Sequence, residues 1–396
     1  MLRFLTAGES HGPSLTVIVE GLPAGLSITE EAIGDELARR RLGYGRGPRM
    51  RFERDVLRLT GGIRHGRTLG SPVAIEILNS EWPKWEQEMS AAPGTPSVKL
   101  TKPRPGHADL AGMQKYGFDD ARDVLERASA RETAARVVAG SLAKALLSAI
   151  GVQVVSHVVR IGQVAAPVGR RPLPHELVIV DDNEVRCFDA ETAQAMILEI
   201  KACAKEGDSL GGIVEVIAYG VPVGLGSHVH WDRKLDGLLA GALMSIQAVK
   251  AVEIGDGMIQ ASQRGSVAHD AIAVDETFVN GGGFVRRSDH AGGLEGGITS
   301  GSPVIAKLAM KPLATLNRPV LETVDVSTGE STISFKERTD VTAVPALGVV
   351  GEAMMSLVLA NEALRKFGGD SLEEFVRNHA SYVAHLGTTS SSAHPN

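Results

Sequence analysis

Strand-like and helix-like stretches do not alternate one for one along this chain, and that ordering limits its fold more than any composition figure. Residues 1–7 (MLRFLTA) and 14–20 (SLTVIVE) read as strands, the second rich in β-branched residues. A helix is predicted from about Thr29, with Ile33 and Leu37 facing inward, running into Arg39-Arg40-Arg41. Residues 50–60 and 71–78 read as further strands. Then come a strand at 152–160, a helix at 192–204 stopped by Gly207, and a strand at 212–219. A helix is predicted over 232–254, with Leu235, Leu238, Leu239, Ala242 and Ile246 inward. Another strand at 302–310 precedes a long apolar helix over 348–367 and a short one at 372–378. A doubly wound parallel sheet needs strict alternation, so the order predicts α+β. No fixed-period repeat is visible, and charge does not shift across the one linker-like segment, 164–174. One large domain over 1–386 is expected, with 387–396 (GTTSSSAHPN) a disordered tail.

Between the early strands and the later helices lies residues 104–151, which starts with a loop carrying Arg104, Gly106, His107 and Asp109. Ser129 followed by Glu132 reads as a capping box; Val137, Val138, Leu142, Ala145, Leu146 and Ala149 repeat at helical spacing, and Gly151 is the stop. A helix start offers free N–H groups and partial positive charge. With Arg127 and Arg131 flanking the cap, the segment reads as an anion site.

A second anion signal is the run Arg39, Arg40, Arg41, Arg46, Arg49, Arg51 and Arg54, with no lysine before Lys84. Charge runs are usually solvated faces. This one is all arginine, whose planar fork grips carboxylate or phosphate, and it is threaded with Gly43, Tyr44, Gly45 and Gly47 in a chain of net charge −6. It suits a loop closing over a small polyanion. Nucleic acid is disfavoured by the acidic total and the lack of interleaved aromatics.

Gly8-Glu9-Ser10-His11-Gly12 matches a hydrolase elbow literally, but it is followed by Pro13 and a strand rather than a helix, so that reading fails. His228, His230 and Asp232 begin a metal-like cluster that nothing downstream completes, and no metal is expected. There is no Walker A sequence and no Gly-x-Gly-x-x-Gly after a strand. Cys187 and Cys203 have no framework or metal spacing, Glu9 comes too early for a signal peptide, and Glu352 breaks the best apolar run. A cytoplasmic protein without membrane or nucleic-acid partners is expected.

The segments GESHG, RRRLGYGR, RPGHAD, QKYG, RASARET, SDHAGGLEGGITSGSPV, KPLAT and ERTDVTAVPALGVVGEAMMSLVLANE together resemble the chorismate synthase family over nearly the whole chain. The resemblance implies a single β-α-β sandwich with mostly antiparallel sheets around helices, assembled as a homotetramer. It implies trans-1,4-elimination of phosphate from 5-enolpyruvylshikimate 3-phosphate, giving chorismate, with reduced FMN required but not consumed. On that resemblance His11, with Ser10, protonates or hydrogen-bonds the leaving phosphate, and His107 stabilises the reduced flavin. Asp340 relays a proton from the flavin with Ser129, and Arg40, Arg46, Arg104, Arg131 and Arg338 grip anions. The flavin is held by Arg127, Ala128, Ser129, Gln247, Ala248, Gly296, Lys311, Pro312, Leu313, Ala314, Thr315 and Arg338. Reducing equivalents come either from NADPH, whose phosphate Arg40 and Arg46 would meet, or from a separate flavin reductase. The rival readings are a non-catalytic anion or RNA binder, which needs neither histidine, and an FMN oxidoreductase, which consumes one reduced flavin per turnover.

Overall fold

The structure of the protein, a computed structural model, describes residues 1–46, 55–334 and 340–386. Two antiparallel sheets are built from segments far apart in sequence. The first contains β1 (Arg3–Ala7), β2 (Ser14–Glu20), β3 (Val56–Gly61) and β4 (Val73–Leu78), in the order β1-β2-β4-β3. Leu15, Val17 and Val19 point inward while Ile18 is exposed, as alternation on a half-buried sheet requires.

The helices α1 (Glu30–Arg41), α2 (Asp109–Tyr116), α3 (Arg122–Ala128) and α4 (Thr133–Ser148) precede β5 (Gln153–Ile161) and β6 (Val164–Ala165). Then come α5 (Ala190–Glu206), β7 (Gly212–Tyr219), α6 (Leu235–Met244), β8 (Val249–Ile254), β9 (Val304–Met310), α7 (Val344–Phe367) and α8 (Leu372–His385). The second sheet runs β8-β9-β7-β5-β6. Val214 to Ala218 of β7 are all buried, because this sheet is covered on both faces.

Helices α1, α4 and α7 form the middle layer, α4 lying on β2 and α7 on β5 and β7. This is the predicted β-α-β sandwich. The layer is thin where α4 meets α7: a Cβ added to Gly140 would stand 2.3 Å from Ala353 Cβ. One connected cluster of buried apolar side chains runs from Leu2 through Val138 and Val216 to Phe375.

Glu352 sits fully buried in α7 and is held by Arg39, Lys144, Ser156 and Arg186. Burial alone would raise its carboxyl, but those cations hold it far below the usual carboxylate range. So α7, apolar and long enough to cross a membrane, is buried inside the fold.

Two local readings are corrected. The predicted helix over 232–254 ends at Met244, and 249–254 is strand β8. Ala248 at φ +66° breaks the helix, and Val249 pairs with Met310 of β9. The capping box also does not form. Ser129 Oγ accepts from Arg131 N at 3.2 Å and caps a 3-10 turn, Ala130–Glu132, while Glu132 turns away to Thr6, Arg136 and Gln247. The Glu132 side chain has three better donors than its own backbone.

Candidate active site

The turn between β1 and β2, the end of α1, loop 104–108, the start of α4, turn 246–248, the segment after β9 and the first turns of α7 enclose one cavity of ≈ 600 Å³. That volume lies in the range of about 300–1,000 Å³ common for small-molecule sites. His11, His107 and Asp340, the three expected to carry the chemistry, all stand on its wall, with Ser10 and Ser129.

His11 is placed by the β1–β2 turn. Gly8, at φ +99°, has no room for a Cβ, which would lie 2.3 Å from Ser14 O. Asn79 Nδ2 donates to Ser10 O and Gly12 O and pins the turn. The His11 ring stacks on Trp85 with centroids 4.1 Å apart. Its Nδ1 lies 2.9 Å from Glu126 Oε1, and its backbone N–H donates to Oε2 at 2.9 Å. Ser129 Oγ donates to Ser10 Oγ at 3.2 Å, joining this turn to the start of α4.

His107 has a similar arrangement. Its Nδ1 meets Asp109 Oδ1 in a short contact, and Arg104 Nε donates to Asp109 Oδ2 at 2.9 Å. Arg104 Nη1 also donates to Thr315 Oγ1 at 3.1 Å, and Lys311 Nζ donates to Gly106 O, so the 104–107 loop and the 311–315 segment brace each other. Asp109 is fully buried; burial pushes its carboxyl up, but hydrogen bonds from His107 and Arg104 override this and hold it well below the usual range.

Positive charge gathers at the third wall. Arg40 Nε donates to Thr133 Oγ1 at 2.9 Å and Nη2 to Ala130 O at 3.0 Å, fixing the guanidinium on the first turn of α4. Burial first, then Arg46 and Arg131, push Arg40 down to about 9 against Asp55 and Asp340, so it keeps its charge at neutral pH. Arg46 Nε lies 2.8 Å from Asp340 Oδ2, and Arg131 Nη1 lies 2.7 Å from Asp55 Oδ1. Of these groups Arg40, Arg46 and Asp340 line the cavity, and with Arg104 and Lys311 beside them the wall is net positive, which a small anion complements. Arg39, by contrast, belongs to the buried Glu352 network.

Of the residues expected to hold a cofactor, Ala128, Ser129, Gln247, Ala248 and Lys311–Thr315 line the cavity. Arg104 lines it as well. The Arg127 guanidinium instead donates to Thr6 O and Gly8 O, and neither Arg131 nor Gly296 is on the wall. Arg338, Arg49, Arg51 and Arg54 lie outside the described residues, as does the tail 387–396. His230 pairs with Asp232 at 2.7 Å in an exposed turn away from the cavity. Trp85, Asp55 and Glu126 were missed by sequence reasoning. Only the four-residue spacing of Arg122 and Glu126 hinted at any of them.

A cavity with two carboxylate-paired histidines, a serine pair and an arginine wall defines an enzyme that moves protons on a small polyanion. The sequence matches the family model described as chorismate synthase over residues 2–364. A chorismate synthase of Paenarthrobacter aurescens is 56% identical over 398 residues, covering 98% of both chains. One of Salinispora tropica is 59% identical over 392 residues, covering 97% of this chain and 98% of that one. A solved chorismate synthase crystal structure, 41% identical, superposes with a TM-score of 0.78 and covers 98% of each chain. This chain belongs to the chorismate synthase family. It is a lyase that converts 5-enolpyruvylshikimate 3-phosphate to chorismate in the shikimate pathway, and the family requires a reduced flavin.

Proposed function

We propose that this enzyme performs a trans-1,4-elimination in which reduced FMN is required catalytically, and that His11, His107 and Asp340 carry the proton chemistry. In that reaction one C–O bond to phosphate and one ring C–H bond break, and a second ring double bond forms. The observation that carries the reading is the meeting of these three residues, from the two ends and the middle of the chain, on one cavity wall.

The walls fit a flavin. Gln247 Oε1 is buried with no hydrogen-bond partner among the described residues, and it suits a ring N–H. Gly106, at φ +79°, supplies the left-handed turn of the 104–107 loop, which faces Lys311 and Ala314. Ala128, Ser129, Gln247, Ala248 and Lys311–Thr315 would hold the cofactor, with Arg127, Gly296 and Arg338 as further candidates. When bound, the reduced flavin supplies electron density transiently to the allylic system, with no net redox change.

His11 presents Nε2 to the departing phosphate, donating from it when both ring nitrogens carry a proton, with Ser10 beside it. Arg40, Arg46 and Arg104, with Arg131 and Arg338 as further candidates, bind the substrate's phosphate and carboxylates. His107, fixed by Asp109, lines the cavity and would stabilise the charge of the reduced flavin with its other ring nitrogen. Asp340 holds a carboxylate oxygen ready for a proton, with Ser129 on the same wall. Residues 1–386 act as one catalytic domain, supported by the continuous core. Exposed apolar side chains at Met258, Val274 and Phe284 support assembly, which we take to be a homotetramer in the cytoplasm.

An anaerobic assay with photoreduced FMN tests the reading: many chorismates per reduced flavin are expected. One reduced flavin consumed per product overturns it in favour of an FMN oxidoreductase. Replacing photoreduction by NADPH in the same assay shows whether the chain reduces its own flavin or depends on a separate reductase.

A further inference from the structure

We propose that Glu126 is a positioning residue for His11: it takes the proton-bearing Nδ1 inward and leaves Nε2 as the only ring nitrogen for the substrate. This rests on the reading that His11 serves the leaving phosphate. The Glu126 carboxylate, 2% exposed, is in contact with donors on both oxygens. Oε1 accepts from Arg122 Nη1 at 3.1 Å and lies 2.9 Å from His11 Nδ1. Oε2 accepts from the His11 backbone N–H at 2.9 Å and lies 3.0 Å from the same Nδ1.

Neither the Arg122 guanidinium nor a backbone N–H can accept a hydrogen bond. A carboxylate therefore satisfies the site, whereas an amide must turn its NH₂ toward one of these donors. The Nδ1 between the two oxygens has only acceptors to meet, so it carries a hydrogen in both charge states of the ring. Trp85 closes the ring's face, and the Arg122 guanidinium lies 5.0 Å from the Trp85 ring centroid, so the same arginine braces both the carboxylate and the indole. Burial disfavours the Glu126 anion, yet His11's hydrogen bond holds its carboxyl below the usual range.

Glu126 spans from α3 to a turn at the other end of the chain's first hairpin, and that turn is already pinned by Asn79 and by Ser10 N–H on Glu126 O. The side chain adds a bond to that turn through the His11 backbone N–H, in parallel with those two. Its remaining task is to fix the ring. A fixed tautomer and orientation matter because a general acid works only from the correct nitrogen and geometry.

The test is a double-mutant cycle in the full-length enzyme, scored by kcat with reduced FMN and 5-enolpyruvylshikimate 3-phosphate. Glu126→Gln is expected to lower kcat by about 10²-fold, the low end of a general acid's contribution. In the His11→Ala background the same change is expected to cost nothing further. Losses that multiply overturn the proposal and make Glu126 scaffold. A crippled His11→Ala beside a fully active Glu126→Gln overturns it while sparing the role of His11. A fully active His11→Ala overturns that role itself. Imidazole ¹⁵N shifts of His11 in the wild-type protein, assigned by loss of the signal in His11→Gln, decide the point even if Glu126→Gln does not fold. A protonated Nδ1 in the neutral ring is expected, and an unprotonated Nδ1 refutes the proposal.

Discussion

Arg46 Nε stands 2.8 Å from Asp340 Oδ2, which ties the guanidinium proposed to bind substrate to the carboxylate proposed to take up a proton. The pair joins the segment after α1 to the segment before α7. Each side chain orients the other, so on the proposed roles a change at either one is expected to affect both binding and proton transfer.

Arg46→Lys keeps the charge and loses the planar fork. We expect kcat/KM to fall by roughly 5–30-fold, equivalent to about 1–2 kcal/mol of a lost charge-assisted hydrogen bond. Steady-state kinetics on the purified variant check this, and unchanged kcat and KM would show that Arg46 does not bind substrate.

His11→Ala, His107→Ala and Asp340→Ala are each expected to lose about 10²–10⁴-fold in rate, the usual cost of a missing acid or relay. All three line a cavity rather than the apolar core, so melting temperatures close to wild type are expected. A variant that unfolds identifies its residue as structural.

Gly140→Ala is expected to destabilise the protein by about 3 kcal/mol, the upper end for overpacking, because the new Cβ would meet Ala353 Cβ at 2.3 Å and its Cα at 2.5 Å. Gly237→Ala, in α6 with nothing within 4 Å, is the control and is expected to be neutral or to stabilise by up to about 1 kcal/mol. Urea denaturation of both variants provides the comparison.

Asp109 gives a pH dependence with a defined sign. Its carboxyl is held lower in the folded chain than in the unfolded one, against the pull of burial, by His107 and Arg104. Its stabilisation is therefore full above the unfolded value of about 4 and disappears as pH falls toward the folded value. Asp109→Asn should be less stable than wild type by roughly 3 kcal/mol at pH 7, the scale of breaking a buried pair. The gap should close progressively below about pH 4 in acid-denaturation curves. A gap that stays constant down to pH 2 contradicts the assignment.

Short-range chemistry was legible in the sequence. The strand Ser14–Glu20, the helix start at Thr29 and the stop at Gly207 were read from local pattern, and the cap and the stop are formed by neighbours a few residues apart. The RPGHAD loop was likewise readable, since Arg104, His107 and Asp109 meet within five residues. The whole-chain resemblance supplied the family, and the comparisons agree with it.

What the tertiary structure decided was partnership across distance. Whether 249–254 continued a helix or became strand β8 was settled by its pairing with β9, and Ala248's left-handed backbone is held there by Lys311 N–H on its carbonyl. Glu132 matched a capping box locally, yet Thr6, Arg136 and Gln247 outcompeted its own helix start. Glu126 shares a helix face with Arg122 by spacing alone, but only the fold brings His11 onto its carboxylate. Residue spacing specifies which side chains share a helix face or a turn. It does not specify which distant donor a buried carboxylate will meet, because that depends on where the packed sheets and helices place the two segments.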